Sequence, residues 1–130
     1  MNVKIDITPH EHYLHVKVSG MANYENAVQF WKSIVDASEK YQCYRILGEQ
    51  NLLNSVSTLE AFDHPALFKQ LGITTKFQFA WVDNNPRTRD TTEFVYNVLA
   101  NRAISSGRMF YDVESAKAWL LEKVNSRTSK

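Results

Sequence analysis

The sequence predicts one α/β domain: a mixed, mostly parallel five-stranded sheet with about four helices, mainly on one face. Strand-like alternation and helix-like spacing of apolar residues take turns along the chain, which is typical of a parallel sheet. An opening pair of strands joined by a short turn makes the first strand antiparallel to the rest. The length of 130 residues, 44% of them hydrophobic, suits a single core.

The first three elements follow from local patterns. Apolar residues alternate with polar ones over residues 3–7 and again over 14–18, and the turn at 9–12 predicts a hairpin. From Asn23 onward the apolar spacing becomes helical, and Asn23 is a suitable N-cap. Short strands are expected at 44–48 and 77–82.

The second helix has clear boundary signals. Ser57 and Glu60 have the spacing of a capping box, which predicts a helix start. Gly72 predicts its end, and Pro65 predicts a break and restart in the middle.

Similar signals mark the last two helices. Asp90 with Glu93 forms a second possible capping box, and Asn85 before Pro86 is an alternative, earlier cap. A last strand at 108–111 leads to Asp112, which is expected to cap the final helix.

The second face of the sheet is expected to be partly uncovered. Right-handed crossovers between neighbouring parallel strands would place every helix on the same side. Leu47, Ala80 and Val82 would then line the open face, and a homodimer through that face is one possible partner arrangement.

Charge and cysteine content limit the possible partners and location. Fifteen basic and fourteen acidic residues leave a net charge of +1, which gives no basis for nucleic-acid binding. The single cysteine, Cys43, and the lack of a signal-like start favour a cytoplasmic location, with peripheral membrane contact as an option. The domain is expected to span residues 1–124, followed by a polar tail at 125–130.

No set of residues suggests a catalytic or metal site. His10, His12 and His15 lie close in sequence, but along a strand His15 points away from the other two, so a zinc site is disfavoured. We find no arrangement of nucleophile and base and no glycine-rich phosphate loop, so the sequence predicts no enzyme activity and no cofactor.

Polar residues gather where the third and fourth strands should end. The carboxyl ends of parallel strands meet at one edge of a sheet, where ligands of open α/β sheets commonly bind. Arg87 and Arg89 precede a helix, a position that favours anions, and neither has an evident folding role. The candidate ligand or partner edge consists of Glu49, Gln50, Asn51, Asn54, Ser55, Ser57, Asp83, Asn84, Arg87 and Arg89.

Three stretches, LGEQNLL, FAWVDNNPRT and NRAISSGRMFYDVESAKAWL, resemble the SpoIIAA-like proteins of the STAS superfamily, some of which are similar in fold to lipid-binding Sec14 domains. The resemblance spans roughly residues 3–123. Anti-sigma-factor antagonists of this superfamily carry a phosphorylatable serine in an Asp-Ser-Ser-Gly-Leu-type motif at the start of the second helix. The corresponding stretch here is NSVSTLEAF, in which Ser57 could occupy that place but Gly-Leu is absent, so the phosphorylation site is not carried over.

The resemblance implies a regulatory or binding module rather than an enzyme. The first interpretation is a non-catalytic signalling module that acts through contact with a protein partner. The alternative is a small domain that binds a lipid or another apolar molecule in its aromatic interior and touches a membrane transiently.

Overall fold

The computed structural model describes residues 3–102, 104 and 106–128. The described residues form four helices and five strands in one α/β unit, as the sequence predicts. In chain order they are β1 (Val3–Pro9), β2 (Leu14–Gly20), α1 (Tyr24–Tyr41), β3 (Arg45–Leu52), α2 (Thr58–Leu71), β4 (Gln78–Asp83), α3 (Arg89–Asn101), β5 (Ser106–Phe110) and α4 (Val113–Thr128). Helix α4 therefore includes residues 125–128, part of the expected polar tail.

The strands lie side by side in sequence order, β1-β2-β3-β4-β5. Strand β1 pairs antiparallel with β2, and all later pairs are parallel. Each connection from β2 to β5 is a crossover through one helix, and the right-handed rule puts α1, α2 and α3 on one side. That side holds the larger core, where alternate residues of the strands pack against the three helices.

Helix α4 covers the opposite side of the sheet, so that face is not open as expected. Leu47, Ala80 and Val82 are 1%, 0% and 1% exposed, and they pack with Ala116 and Leu120 of α4. The crossover rule does not apply to α4, because no strand follows it. The homodimer expected through these three residues therefore has no exposed apolar surface there.

Most predicted helix caps are present. The Asn23 side chain accepts a hydrogen bond from the Asn26 N–H at 2.8 Å, and Ser57 and Glu60 form the reciprocal capping box. Gly72 adopts a left-handed conformation with φ 80° after α2, and Asp112 accepts from the Ser115 N–H at 2.7 Å before α4. These signals act within three or four residues, so the sequence alone is sufficient to locate them.

Pro65 does not break α2, which runs continuously from Thr58 to Leu71. Proline removes a backbone donor and crowds the carbonyl four residues earlier. The carbonyl four residues before Pro65 is that of Ala61. The His64 ring bonds the adjacent carbonyl, that of Glu60, at 2.8 Å. Both Pro65 and His64 are buried, so packing holds the helix together across the proline.

The packing of α4 on the second face of the sheet predicts different effects of the same substitution at a buried and an exposed position of α4. Ala116 of α4 is fully buried against the sheet, whereas Ala118 on the same helix is exposed. Ala116→Asp places an unpaired carboxylate against the sheet and should cost about 3 kcal/mol or more. Ala118→Asp should change the unfolding free energy by less than about 0.5 kcal/mol. Urea titration of both variants measures this, and equal effects would contradict the docking of α4.

Candidate functional site

The end of β4 is held by a buried polar network centred on Asp83, which is 0% exposed. Its carboxyl group accepts from the Thr88 hydroxyl at 2.6 Å and the Thr92 hydroxyl at 2.8 Å. It also accepts from the Asn85 N–H at 2.9 Å and from the Gln50 amide at 3.3 Å. Four donors around one buried carboxyl group fix the turn between β4 and α3, so Asp83 has a structural role at this edge.

Gln50 connects this network to the aromatic core. Its amide oxygen accepts from the Trp81 indole N–H at 2.9 Å, and its amide nitrogen donates to Asp83 and, at 3.2 Å, to Thr92. Gln50 lies inside β3, which extends four residues beyond the predicted strand end at Gly48, because β3 continues its pairing with β2 as far as Leu52. Glu49, Gln50 and Asn51 are therefore strand residues and not loop residues.

The neighbouring loop is closed by Asn54. Its side chain accepts from the Ala22 N–H and donates to the Ala22 carbonyl, both at 2.9 Å, and so joins the loop before α2 to the loop before α1. Ser55 is half-buried beside it, and Ser57 is exposed and caps α2. Asn54 thus acts on the fold at this edge.

The two arginines have different environments. Arg89 donates through Nε to the Asp83 carbonyl at 3.0 Å, and its guanidinium lies 5.4 Å from the centre of the Tyr111 ring. Arg87 is exposed in the turn. The expectation that neither arginine contributes to folding is therefore wrong for Arg89.

The expected second capping box is absent. Helix α3 begins at Arg89 with Thr88 as N-cap, and Thr88 makes no side-chain cap bond. Asp90 lies in the first turn and is exposed, while the Thr88 hydroxyl bonds Asp83 instead. Because the buried carboxyl group competes for this hydroxyl, local spacing alone did not locate the helix start.

The predicted edge residues thus do not form one site. Gln50, Asp83, Asn54 and Arg89 are engaged in the fold, and Glu49 points to the second face, where it meets His15 at 2.6 Å. Asn51, Asn84, Arg87 and Ser57 remain exposed at the edge. Within the described residues, no group of three or more His, Cys, Asp and Glu side chains is placed to hold a metal ion. The described helices also include none that is long and apolar enough to cross a bilayer.

The aromatic interior contains a small cavity, and sequence reasoning missed an apolar surface near it. The cavity, of about 50 Å³, lies between helices α1 to α3 and the face of the sheet that they cover. Aromatic rings form much of its wall. Above it, α2 and α3 expose Leu59, Phe62 and Phe94, which we call the α2–α3 patch. A possible signal was that α2 carries Leu59 and Phe62 in addition to its inward-facing apolar residues.

His64 lines this cavity and is 4% exposed. Burial lowers the pKa of His64, and the Glu60 carbonyl and the charges of Asp63 and Glu60 oppose that shift only in part. The folded protein therefore holds this imidazole neutral, while the unfolded chain gains a proton below about pH 6.5. Stability contributed by neutral His64 is present above that pH and is lost as the pH falls through the folded pKa.

This difference gives a pH-dependent prediction. His64→Asn should flatten the decline in unfolding free energy between about pH 7.5 and about pH 5.5, a window above the titration of ordinary carboxyl groups. His12→Asn, at an exposed histidine, should keep the wild-type slope. Urea titrations across this window provide the measurement, and an unchanged slope in His64→Asn would show that another group is responsible.

The arginines give a second matched pair. Arg89→Ala removes a hydrogen bond and an aromatic contact and should lower the unfolding free energy by about 1 kcal/mol. Arg87→Ala should change it by less than about 0.5 kcal/mol, since exposed charges contribute little. Chemical denaturation compares the two, and indistinguishable variants would refute the role of Arg89.

Comparison with solved structures identifies the fold. One similar structure is an uncharacterized protein of the DUF3478 family with a SpoIIAA-like fold from Shewanella loihica PV-4: 20% identity, TM-score 0.56, with 92% of this chain and 94% of that chain covered. Another is an anti-sigma factor antagonist from Mycobacterium paratuberculosis: 12% identity, TM-score 0.58, with the same coverage. No protein-family model and no curated protein matches the sequence. The mixed sheet, its four helices and these two structures together show that the chain has a SpoIIAA-like fold.

Proposed function

We propose that this protein is a non-catalytic regulatory module that acts by binding a partner protein through the α2–α3 patch. The observation that carries the proposal is the exposure of three large apolar side chains on adjacent helices. Leu59 is 78% exposed, Phe62 47% and Phe94 39%. The rings of Phe62 and Phe94 meet edge to face with their centres 5.3 Å apart, so the patch is continuous across α2 and α3.

Such a patch suits a protein interface. Aromatic side chains that are rigid and half-exposed are common energetic centres of interfaces, because they bury a large area at a small entropy cost. Phe62 is already restrained by Phe94, which reduces the ordering that a partner must impose. The fold does not require this exposure, since its main core lies on the inner sides of the same helices.

Three exposed acidic side chains lie near the patch on α2 and α3. Asp63 follows Leu59 by four residues on α2, and Asp90 precedes Phe94 by four on α3, so each shares a helix face with a patch residue. Glu93 is also exposed beside Phe94. A partner with an apolar centre and a basic rim would be complementary, and the charges would favour rapid and selective association.

The absence of catalytic activity is part of the proposal. Asp83 is engaged by four donors, and the His15–Glu49 pair lies on the other face of the sheet. The structural similarity to an anti-sigma factor antagonist agrees with a regulatory role, although a shared fold is not evidence of a shared partner. A cytoplasmic location remains a prediction.

Lipid binding is the alternative function, and the cavity volume argues against it. A cavity of roughly 150 Å³ accommodates one benzene molecule. The cavity here, at about 50 Å³, is too small for an acyl chain unless the helices separate. We therefore favour the protein partner.

Site-specific photo-cross-linking tests the proposal. A photoreactive phenylalanine analogue at Phe62 should give a defined cross-link to one protein in cells of the source organism. The same analogue at Tyr41, which is 45% exposed at the far end of α1, is the matched control and should not.

The captured protein is then purified and its affinity measured by calorimetry. Phe62→Ser and Phe94→Ser should each weaken binding by at least about tenfold, and Tyr41→Ser should leave it unchanged. Equal binding by all three variants would refute the patch as the working surface, as would cross-linking from Tyr41 alone.

A further inference from the structure

The charges beside the α2–α3 patch are distributed unevenly along the two helices. Asp63 lies in the N-terminal half of α2 and Asp90 in the first turn of α3, whereas Lys69 lies in the last turn of α2 and Arg102 directly follows α3. All four side chains are exposed. In the described part of the chain, none of them forms an ion pair within its own protomer.

Helices α2 and α3 run in the same direction, so their charges have the same polarity. Each helix follows the carboxyl end of a parallel strand and leads to the start of the next strand. The two N-termini therefore lie together at the carboxyl edge of the sheet, and the two C-termini lie together at the opposite edge. The outer surface of the helix pair is thus acidic at one end and basic at the other.

Two copies of the chain can face each other through this surface in two symmetric ways. A two-fold axis parallel to the helices places α2 against α3 of the second copy and brings the two acidic ends together. A two-fold axis that crosses the helices places α2 against α2 and α3 against α3 in antiparallel orientation. Each acidic end then meets a basic end. Because opposite charges favour association and like charges oppose it, the charges select the antiparallel arrangement.

The position of the crossing axis follows from the charged positions. Asp63 meets Lys69 of the second copy if the axis crosses α2 near Ala66, midway between these two residues. On α3, Asp90 meets Arg102 of the second copy if the axis crosses midway between residues 90 and 102.

A single axis satisfies both pairs of charges. The rings of Phe62 and Phe94 are in contact, so these two positions lie at about the same level on α2 and α3. The crossing point on α2 is four residues beyond Phe62, and that on α3 is two residues beyond Phe94. The difference of two residues corresponds to about 3 Å along a helix, which long lysine and arginine side chains can span.

The apolar side chains of α2 lie along the same contact. Leu59, Phe62 and Ala66 are exposed, and their spacing of three and four residues puts them in one row. Ala66 has the smallest side chain of the three and lies where the axis crosses α2, so the two α2 helices can approach closely there. Leu59 and Phe62 would then be covered by α2 of the second copy.

We propose that a second copy of this chain covers the α2–α3 patch when the partner protein is absent. The two copies pack α2 against α2 and α3 against α3, antiparallel, around a two-fold axis near Ala66. The regulatory consequence rests on the function proposed above, because a patch that binds a partner protein cannot bind a second copy at the same time. Self-association thus controls the access of the partner protein to the patch.

Two charge reversals test the antiparallel arrangement. Analytical ultracentrifugation of the wild-type protein at concentrations up to about 1 mM should show a reversible dimer. Asp63→Lys brings lysines together across the axis, and Lys69→Glu brings carboxylates together, so each variant alone should dimerise at least about fivefold more weakly. An equimolar mixture of the two restores opposite charges at both contacts and should dimerise as well as the wild type. Lys32→Glu makes the same charge change at an exposed position of α1 and should have no effect.

The apolar contribution is tested separately. Phe62→Ser should raise the dimer dissociation constant by at least about tenfold, because aromatic side chains at the centre of an interface commonly dominate its affinity. Tyr41→Ser, at a residue that is 45% exposed on α1, should leave the constant unchanged. Thermal unfolding of every variant verifies that the protomer remains folded.

Several outcomes would overturn the assignment. A wild-type protein that stays monomeric up to about 1 mM would remove the second copy as occupant. Stronger dimerisation of Asp63→Lys would indicate the parallel arrangement, in which Asp63 faces the acidic end of α3. A mixture of the two charge variants that stays monomeric would place the interface elsewhere.

The result is separable from the proposed function. A monomeric wild type together with a cross-link from Phe62 to a different protein would remove the self-association and leave the partner contact intact. A dimer with the expected charge dependence, without any cross-link to a different protein, would support the self-association and refute the partner contact.

Discussion

The fold depends on the burial of one carboxyl group, that of Asp83, at the end of β4. Asp83 accepts hydrogen bonds from the hydroxyl groups of Thr88 and Thr92 at the N-terminal end of α3. It also accepts from a backbone N–H in the turn and from the Gln50 amide on the neighbouring strand. Because a buried carboxyl group without partners would cost several kcal/mol, each of these donors stabilises the turn in which Asp83 lies. Gln50 in turn orients the Trp81 indole, so the same interaction extends from the turn into the aromatic core.

The sequential strand order determines where binding surfaces can form. In doubly wound sheets a crevice opens where the strand order reverses, and ligands bind there. This sheet runs β1 to β5 without a reversal, and its three crossover helices share one side. At the carboxyl edge of the sheet, hydrogen bonds to Asp83 fix the turn between β4 and α3. The surfaces that remain available for binding lie between the helices and on their outer sides. The cavity and the α2–α3 patch thus involve the same pair of helices, α2 and α3.

Sequence patterns predicted features that depend on a few consecutive residues and missed those that depend on distant ones. Asn23, Ser57 and Asp112 act as caps within their own turns, and the patterns of apolar residues located all five strands along the chain. The length of β3, the continuity of α2 through Pro65 and the start of α3 depend on pairing or burial against other elements. No local sequence pattern indicated the side of the sheet on which α4 packs. That side is determined by apolar residues of β3 and β4, which are distant in sequence from α4.

Helix α4 follows all the other elements in the chain, and this has a consequence for biosynthesis. Translation completes all five strands and the three crossover helices before α4 emerges. During that interval one side of the sheet can already pack, while Leu47, Ala80 and Val82 face water on the other side. The nascent protein is thus a sheet with one apolar face exposed to water, and that face becomes buried when α4 packs against it. A ribosome that stalls before α4 would leave a chain prone to aggregate.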